Sequence, residues 1–409
     1  MTISKSYRPF LVAAPVHLMA WGALWDLSGR WWGLPTVSWD AFLWLFVIGF
    51  VGCTILGFLL HLFPALARRP MVPPHDRGVL FVLTEAAVVL GTVGLDGAPW
   101  VWIAGSALWM GTVLLFGNHL RLLLRTPAKP SAATTYPTDT RVLPLVLASV
   151  AFAALAAGFW LVAAIVPALD AEPGVGLWVA GLHLYLLGQV VLLILGVSFF
   201  LVPRALSAPV PLRIFRPVPP LAIAGAILVP LGMLWLPNSA FYLLALLALP
   251  EALAATLYAI GLGVLLARAR TPKPQATLFL VAALFLLLGG GIGLAMSLTG
   301  DFTWIGAHAL VNLFGFVGIM VMGMAFSMIA PFQFITHAWT IRAMRLELGV
   351  LAAIAGLATV VPLASAGLGG MASELIGALV VLAGGIFWAG SVPVLYYSGT
   401  RGAVSPKNH

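Results

Sequence analysis

Two histidines form the most informative pattern in this sequence, because each stands near the head of a long apolar segment that ends in proline. The first segment, GLHLYLLGQVVLLILGVSFFLVP, contains His183 and Pro203, and the second, GAHALVNLFGFVGIMVMGMAFSMIAP, contains His308 and Pro331. An ionisable side chain inside a bilayer is costly and usually faces the interior of a helix bundle. Neutral imidazole is a common metal ligand, so two imidazoles at one depth predict a shared ligand such as haem or a metal ion.

Further polar side chains lie inside apolar segments and are candidates for the same chemistry. At about 1.5 Å per residue, His183 and His308 lie roughly 10 Å below the outer surface, and His17 and His61 lie about 10–13 Å above the inner one. Asn312 follows His308 by four residues and shares its helix face, so we expect it to line the cofactor site. The alternative is that each histidine only hydrogen-bonds a neighbouring helix, as polar residues in membrane bundles do.

One acidic side chain and one thiol complete the set of buried candidates. Glu85, within FVLTEAAVVL, is the only acidic residue predicted to lie well within the inner half of a span. Two interpretations stay open for it, a proton path and an interhelical hydrogen bond. Cys53 is the only cysteine, so an internal disulfide and a metal cluster held by several thiolates are both excluded.

The elements that must position these side chains are predicted to be membrane helices. Of the 409 residues, 62% are hydrophobic and only 8% are charged, whereas about a quarter of the residues in a soluble domain are charged. We predict an all-α polytopic membrane bundle of about twelve transmembrane helices, which makes residues 1–409 a single integral membrane domain. The predicted spans lie near residues 9–28, 41–66, 78–96, 98–120, 142–167, 176–203, 217–236, 246–267, 276–298, 302–331, 346–367 and 372–397.

The distribution of basic residues predicts the orientation of the bundle. With twelve spans and a cytoplasmic N-terminus, the inner segments hold 19 of the 20 basic residues, and only Arg30 lies outside. This positive-inside bias places both termini in the cytoplasm, with the stretch 126–140, rich in Pro, Ser and Thr, as a flexible cytoplasmic loop. The net charge of +8 is therefore a topology signal, and we expect the lipid bilayer, and no nucleic acid, as partner.

Two of these segments resemble helices of haem-copper oxidase subunit I. The stretch TWIGAHALVNLFGFVGIMVMGMAFSMIAP is similar to the tenth helix of that family. The stretch GLHLYLLGQVVLLILGVSFFLVPRAL resembles its sixth helix, which runs from a histidine to a proline followed by a basic residue.

Two other segments resemble the NnrS family, twelve-span bacterial proteins associated with haem, copper and nitric oxide metabolism. They are the opening YRPFLVAAPVHLMAWGALW and the stretch GFLLHLFPAL. Proteins of that family carry a histidine at the head of a late helix and another after its exit, which His308 and His337 match. The resemblance implies a multi-pass protein of the bacterial plasma membrane that holds haem of type b, with copper as a further candidate. It also implies a role in nitric oxide response, denitrification or respiratory redox metabolism, with respiratory or denitrification proteins as partners.

Departures from both families narrow the predicted activity. Oxidases place two histidines, one residue apart, at the head of helix ten, whereas this chain reads His308-Ala309-Leu310. The seventh span, PPLAIAGAILVPLGMLWLP, has no histidine, and the head of the second span, WDAFLWLF, lacks those found there in both families. His61 lies at the opposite end of that second span. We therefore predict no dinuclear oxygen- or nitric oxide-reducing centre, and one haem or metal held by His308 with or without His183.

Two other functional classes compete with a cofactor protein. Twelve spans is a common count among secondary transporters, and Pro230 and Pro362 lie in mid-span, although no polar binding residues flank them. The missing ligands also fit an assembly factor that kept an oxidase-like fold after losing its cofactors.

Overall fold

The structure is a computed structural model, and every element that it describes is helical. The described residues are 7–30, 38–66, 73–125, 142–168, 175–206, 208–236, 240–269, 274–325, 337–360 and 366–397, and no strand occurs among them. The predicted loop at 126–140, Pro331 and Pro362 lie outside these ranges. The all-α class is therefore confirmed for the described part of the chain.

Long helices make up nearly all of the described ranges, and in them we number twelve. They are α1 (Arg8–Arg30), α2 (39–66), α3 (Pro74–Leu95), α4 (Pro99–Arg125), α5 (Val142–Ala168), α6 (175–206), α7 (Val218–Trp235), α8 (Leu249–Arg268), α9 (Pro274–Thr299), α10 (Phe302–Ala325), α11 (His337–Val360) and α12 (Ala366–Tyr397). Short helices at Leu212–Phe215 and Leu243–Leu247 precede α7 and α8.

Nine helices within the described ranges are long and apolar enough to cross a membrane, namely α2 to α10. In α12, the described apolar stretch is shorter, from Leu375 to Ser391. The membrane character of the chain follows from these helices, because a bilayer core of about 30 Å requires roughly 20 apolar residues per crossing. The count of twelve spans and the side on which the termini lie stay predictions.

Three helices, α2, α6 and α10, form the centre of the bundle. In their most apolar windows 94%, 78% and 72% of the residues are buried, against 33% to 44% in the other six candidate spans. The remaining helices surround them. The first and last of these helices, α1 and α12, pack along each other and so close the outer layer. The three central helices carry His61, His183 and His308 and therefore place most of the predicted ligands inside the bundle.

The central helices are the second members of successive groups of four helices along the chain. In each group the first and third helices pack on the second, as α1 and α3 do on α2, α5 and α7 on α6, and α9 and α11 on α10. The sequence shows no internal repeat beyond the two histidine-headed segments, so this periodicity emerges only from the packing.

Each central helix also contains an eight-residue π-helical segment, namely Leu45–Gly52 in α2, Leu184–Val191 in α6 and Val311–Gly318 in α10. A π-helical turn accommodates an extra residue by bonding i to i+5, and such segments are rare and concentrate at functional sites. In α6 the segment begins directly after His183, and in α10 it begins three residues after His308. The π-helical segments therefore adjoin both histidines of the predicted pair.

Buried indole groups fix α2 between its neighbours. The Nε1–H group of Trp21 on α1 donates to the carbonyl of Phe42 at 2.9 Å, and that of Trp44 on α2 donates to the carbonyl of Ala87 on α3 at 3.1 Å. Both indoles are almost fully buried, where a hydrogen bond that replaces lost hydration stabilises the packing. These bonds set the distance between α1, α2 and α3.

We predict that Gly315→Ala destabilises the bundle at the π-helical segment of α10. A Cβ atom at Gly315 would lie 2.6 Å from Cγ of Phe285 on α9, so the ring or the helix must shift. Overpacking of this kind costs about 1–3 kcal/mol, which thermal unfolding of the detergent-solubilised protein would detect. The matched control is Gly349→Ala on α11, where a Cβ would meet no atom within 4 Å. Equal melting temperatures for the two variants would contradict the packing.

Candidate functional site

The two predicted ligand histidines, on α6 and α10, each form a hydrogen bond with a main-chain carbonyl. Both side chains are half-buried. The Nδ1–H group of His183 donates to the carbonyl of Val179 at 2.9 Å, and that of His308 donates to the carbonyl of Gly289 at 2.8 Å. We call these two residues the histidine pair.

These two hydrogen bonds determine which ring nitrogen is available. Because Nδ1 carries the proton in each ring, the Nε2 lone pair is free to accept a proton or to bind a metal. A metal-bound histidine almost always donates its other N–H group to a carboxylate, a carbonyl or water, which fixes the tautomer and the ring orientation. In this structure the acceptors are main-chain carbonyls.

Asn312 lies beside His308, as its four-residue spacing predicted. Its Nδ2 group donates to the carbonyl oxygen of His308 at 2.8 Å and lies 3.4 Å from the Nδ1 atom of that ring. Asn312 therefore contacts the histidine directly.

Glycines on α9 provide the space for these two side chains. A Cβ atom at Gly293 would lie 2.6 Å from Cε1 of His308, and one at Gly289 would lie 2.4 Å from Nδ2 of Asn312. Any larger residue at either position would displace the ring or the amide. The run GGGIG in α9 thus allows α10 to present both polar groups at close range.

The head of α2, where both resembled families hold histidines, carries a different polar contact. The Nε1–H group of Trp178 on α6 donates to Oδ1 of Asp40 at 2.8 Å. The heads of α2 and α6 are therefore adjacent, but an indole and a carboxylate meet there.

A second group of polar side chains, which we call the α1–α3 cluster, consists of His17, Cys53 and Glu85. Nε2 of His17 lies 3.0 Å from Oε2 and 3.3 Å from Oε1 of Glu85. The Sγ–H group of Cys53 donates to Oε1 of Glu85 at 3.4 Å. The three residues come from α1, α2 and α3, and one ligand atom of each lies within 4.8 Å of the others.

The α1–α3 cluster joins two residues that the sequence suggested separately. His17 was predicted as a cofactor ligand and Glu85 as part of a proton path or as a hydrogen-bonding partner, and the structure shows that they bind each other. Their side chains are 11% and 27% exposed, so the contact is largely shielded. The structure contains an interhelical hydrogen bond at Glu85, and a proton path through this residue stays a prediction.

His61, the other histidine of the predicted inner layer, lies apart from this cluster. Its ring packs against that of Tyr7, with the ring centroids 4.8 Å apart. Tyr7 precedes His17 by ten residues, which is about 15 Å along a helix. His17 and His61 therefore lie at different depths, and the prediction of one shared layer is wrong.

The sequence interpretation missed three residues of chemical interest. Cys53 was considered only for clusters of several thiolates, although one thiol can join mixed ligands. Tyr185 lies two residues after His183, and its buried hydroxyl has no hydrogen-bond partner among the described residues. Glu347 was assigned to the beginning of a span at residue 346, but α11 begins at His337 and Glu347 is only 2% exposed. Glu85 is therefore not the only acidic residue deep within a helix.

No protein-family model and no curated protein matches this chain.

We predict that protonation of Asp301 releases the first turn of α10. Oδ1 of Asp301 accepts hydrogen bonds from the main-chain N–H group of Thr303 at 3.0 Å and from its hydroxyl at 2.7 Å. These bonds hold the pKa of Asp301 below its ordinary value of 3.8. The cap is therefore fully present above pH 3.8 and is lost as the pH falls through the lowered pKa of the folded state.

Hydrogen exchange of peptides that contain Thr303 measures this release. At each pH the native protein is compared with Asp301→Ala, because both share the same intrinsic dependence of exchange on pH. Above pH 3.8 the native protein should be the better protected of the two, and the difference should vanish at lower pH. A difference that is independent of pH would show that the carboxylate does not cap this helix.

Proposed function

We propose that this chain is an integral membrane protein that binds haem iron or another transition metal through the histidine pair. The observation that carries this proposal is the matched state of the two rings. Each of them donates Nδ1–H to a main-chain carbonyl, which leaves the Nε2 lone pair of both rings available to a metal. Two imidazoles with free Nε2 lone pairs in an apolar interior form a donor set that suits iron, copper and zinc.

We propose a redox or gas-binding role for the bound group. A haem iron with one open axial position takes a diatomic ligand, and the polarity of the pocket and the nearby hydrogen-bond donors tune it. In this chain His308 would hold the group, Gly289 would fix the ring through its carbonyl, and Asn312 would supply an amide at short range. The adjacent π-helical segments would bring the two rings to their positions.

We further propose that the chain is related to NnrS proteins and acts in nitric oxide response, denitrification or respiratory redox metabolism of a bacterial plasma membrane. The four resembling segments and the histidine pair support this assignment. Reduction of oxygen or nitric oxide at a dinuclear centre is not part of the proposal, because Ala309 and Leu310 follow His308 and Asp40 contacts Trp178 at the head of α2.

We predict that purification from haem-replete, copper-supplemented cells yields a protein with bound haem or metal. An absorption spectrum tests for a Soret band, and elemental analysis measures iron, copper and zinc per chain. His308→Ala should reduce the occupancy by about tenfold or more, because removal even of an outer-shell partner costs 10–100-fold. His183→Ala should do the same if both rings bind. The control is His75→Ala, because that side chain is 87% exposed.

Two results would overturn this proposal. The first is a colourless, metal-free preparation of well-folded protein, which would favour a transporter or a cofactor-free assembly factor. The second is full cofactor occupancy in the His308→Ala variant. That result would exclude His308 as a ligand without deciding which class of protein this is.

We also predict that Gly293→Ala impairs cofactor binding without removing any ligand. A Cβ at Gly293 would lie 2.6 Å from Cε1 of His308, so the ring must move. The matched control is Gly291→Ala, two residues away, where a Cβ would meet nothing within 4 Å. Occupancy should fall in the first variant and stay unchanged in the second. Equal occupancy in both would show that the position of the His308 ring is not required.

A further inference from the structure

We propose that His17, Cys53 and Glu85 form a second metal site, separate from the histidine pair, that binds a divalent transition-metal ion of the zinc class. A thiolate, an imidazole and a carboxylate are together the three ligand types that Zn²⁺ uses in proteins. Three protein ligands also leave one position of a tetrahedral ion open, as in catalytic zinc sites.

The distances within the α1–α3 cluster are close to those of a tetrahedral site. With metal–ligand bonds of about 2.0–2.3 Å, two ligand atoms of a tetrahedron lie about 3.3–3.7 Å apart. Nε2 of His17 and Sγ of Cys53 lie 3.3 Å and 3.4 Å from the same oxygen of Glu85. The remaining pair, Sγ and Nε2, lies within 4.8 Å. A small shift of side chains would therefore enclose an ion.

The charges of the ligands select a divalent ion. With a thiolate, a carboxylate and a neutral imidazole, the ligand set carries a formal charge of about −2, which a divalent ion neutralises. An uncompensated charge is costly in a medium of low dielectric constant. A monovalent ion such as Cu⁺ would leave one negative charge in the apolar surroundings. Mg²⁺ and Ca²⁺ are disfavoured, because they prefer ligand sets made only of oxygen.

A fourth residue, Tyr185 on α6, lies next to the residue that precedes Cys53. Its side chain is completely buried, and its hydroxyl has no hydrogen-bond partner among the described residues. The hydroxyl lies 3.3 Å from the position of a Cβ on Gly52, the residue before Cys53. A buried hydroxyl without a partner is unfavourable. A metal-bound thiolate that moved within hydrogen-bond distance would give it an acceptor, and Tyr185 would then be a positioning residue.

The backbone around the cluster supports the same arrangement. Cys53 is the first residue after the π-helical segment of α2, and Gly49 lets His17 approach that segment, since a Cβ at Gly49 would lie 3.0 Å from Cβ of His17. The side chain of Glu85 keeps 27% of its surface exposed. A bound ion would connect α1, α2 and α3 at one point.

The experiment titrates the chelator-treated, detergent-solubilised full-length protein with Co²⁺ and then displaces it with Zn²⁺. Binding to Cys53 would produce a thiolate-to-cobalt charge-transfer band in the near ultraviolet, which Zn²⁺ should abolish at close to one equivalent. The histidine pair contains no sulfur and cannot produce this band. Failure at one site is therefore distinguishable from failure at the other.

Variants assign the ligands and test the role of the tyrosine. Cys53→Ser should abolish the band, and His17→Gln and Glu85→Gln should each weaken Co²⁺ binding by about tenfold or more. Tyr185→Phe should keep the band but weaken binding and shift its energy, a spectroscopic change that simple loss of packing would not cause. His75→Gln is the matched histidine control and should bind like the native protein.

The native protein alone can overturn the proposal. Absence of the charge-transfer band from a folded, monodisperse and reduced sample would show that the α1–α3 cluster is only an interhelical hydrogen-bond network. A band of equal intensity in Cys53→Ser would show that cobalt binds elsewhere. If the band is present in native protein and lost in Cys53→Ser, the site is established whether or not the other variants fold.

Discussion

The structure depends on one constraint, namely that an apolar medium offers no water to satisfy polar groups. The main chain meets this constraint by forming helices, in which its hydrogen bonds close within each segment. Polar side chains must find partners on other helices, and here they do so at few points. The indoles of Trp21 and Trp44 bond to main-chain carbonyls of neighbouring helices. His308 bonds to the main chain of α9, and His17 bonds to Glu85. Some of the polar contacts between helices are therefore also the contacts that define the candidate sites.

Composition and hydropathy predicted the helices well, because an apolar run of sufficient length has one stable conformation in lipid. They predicted helix ends less well. The apolar part of α11 begins near residue 346, but the helix begins at His337, since the exposed Arg342 and Arg345 continue the same helix beyond its apolar part. Glu347 consequently lies a full ten residues into the helix.

The candidate sites could be predicted only in part. His308 and Asn312 are four residues apart on one helix, so their contact could be predicted from the sequence alone. The partners of His17 are Cys53 and Glu85, which lie on two other helices and 36 and 68 residues away along the chain. No periodicity links such positions, because the packing of three helices alone brings them together. The π-helical segments could not be predicted from the sequence either, since their residues are as apolar as those of the turns around them.

The π-helical segments have a consequence for how the two candidate sites relate to each other. Each such segment accommodates an additional residue, and one residue corresponds to about 100° of rotation around an α-helix. In α6, His183 precedes the segment Leu184–Val191, whereas Ser198 follows it. The two ends of a central helix can thus face different neighbours than a regular helix would allow. A substitution that adds or removes the extra residue of the π-helical segment would therefore rotate one end of the helix relative to the other. The ligands at one end could change direction while the packing at the other end stays the same.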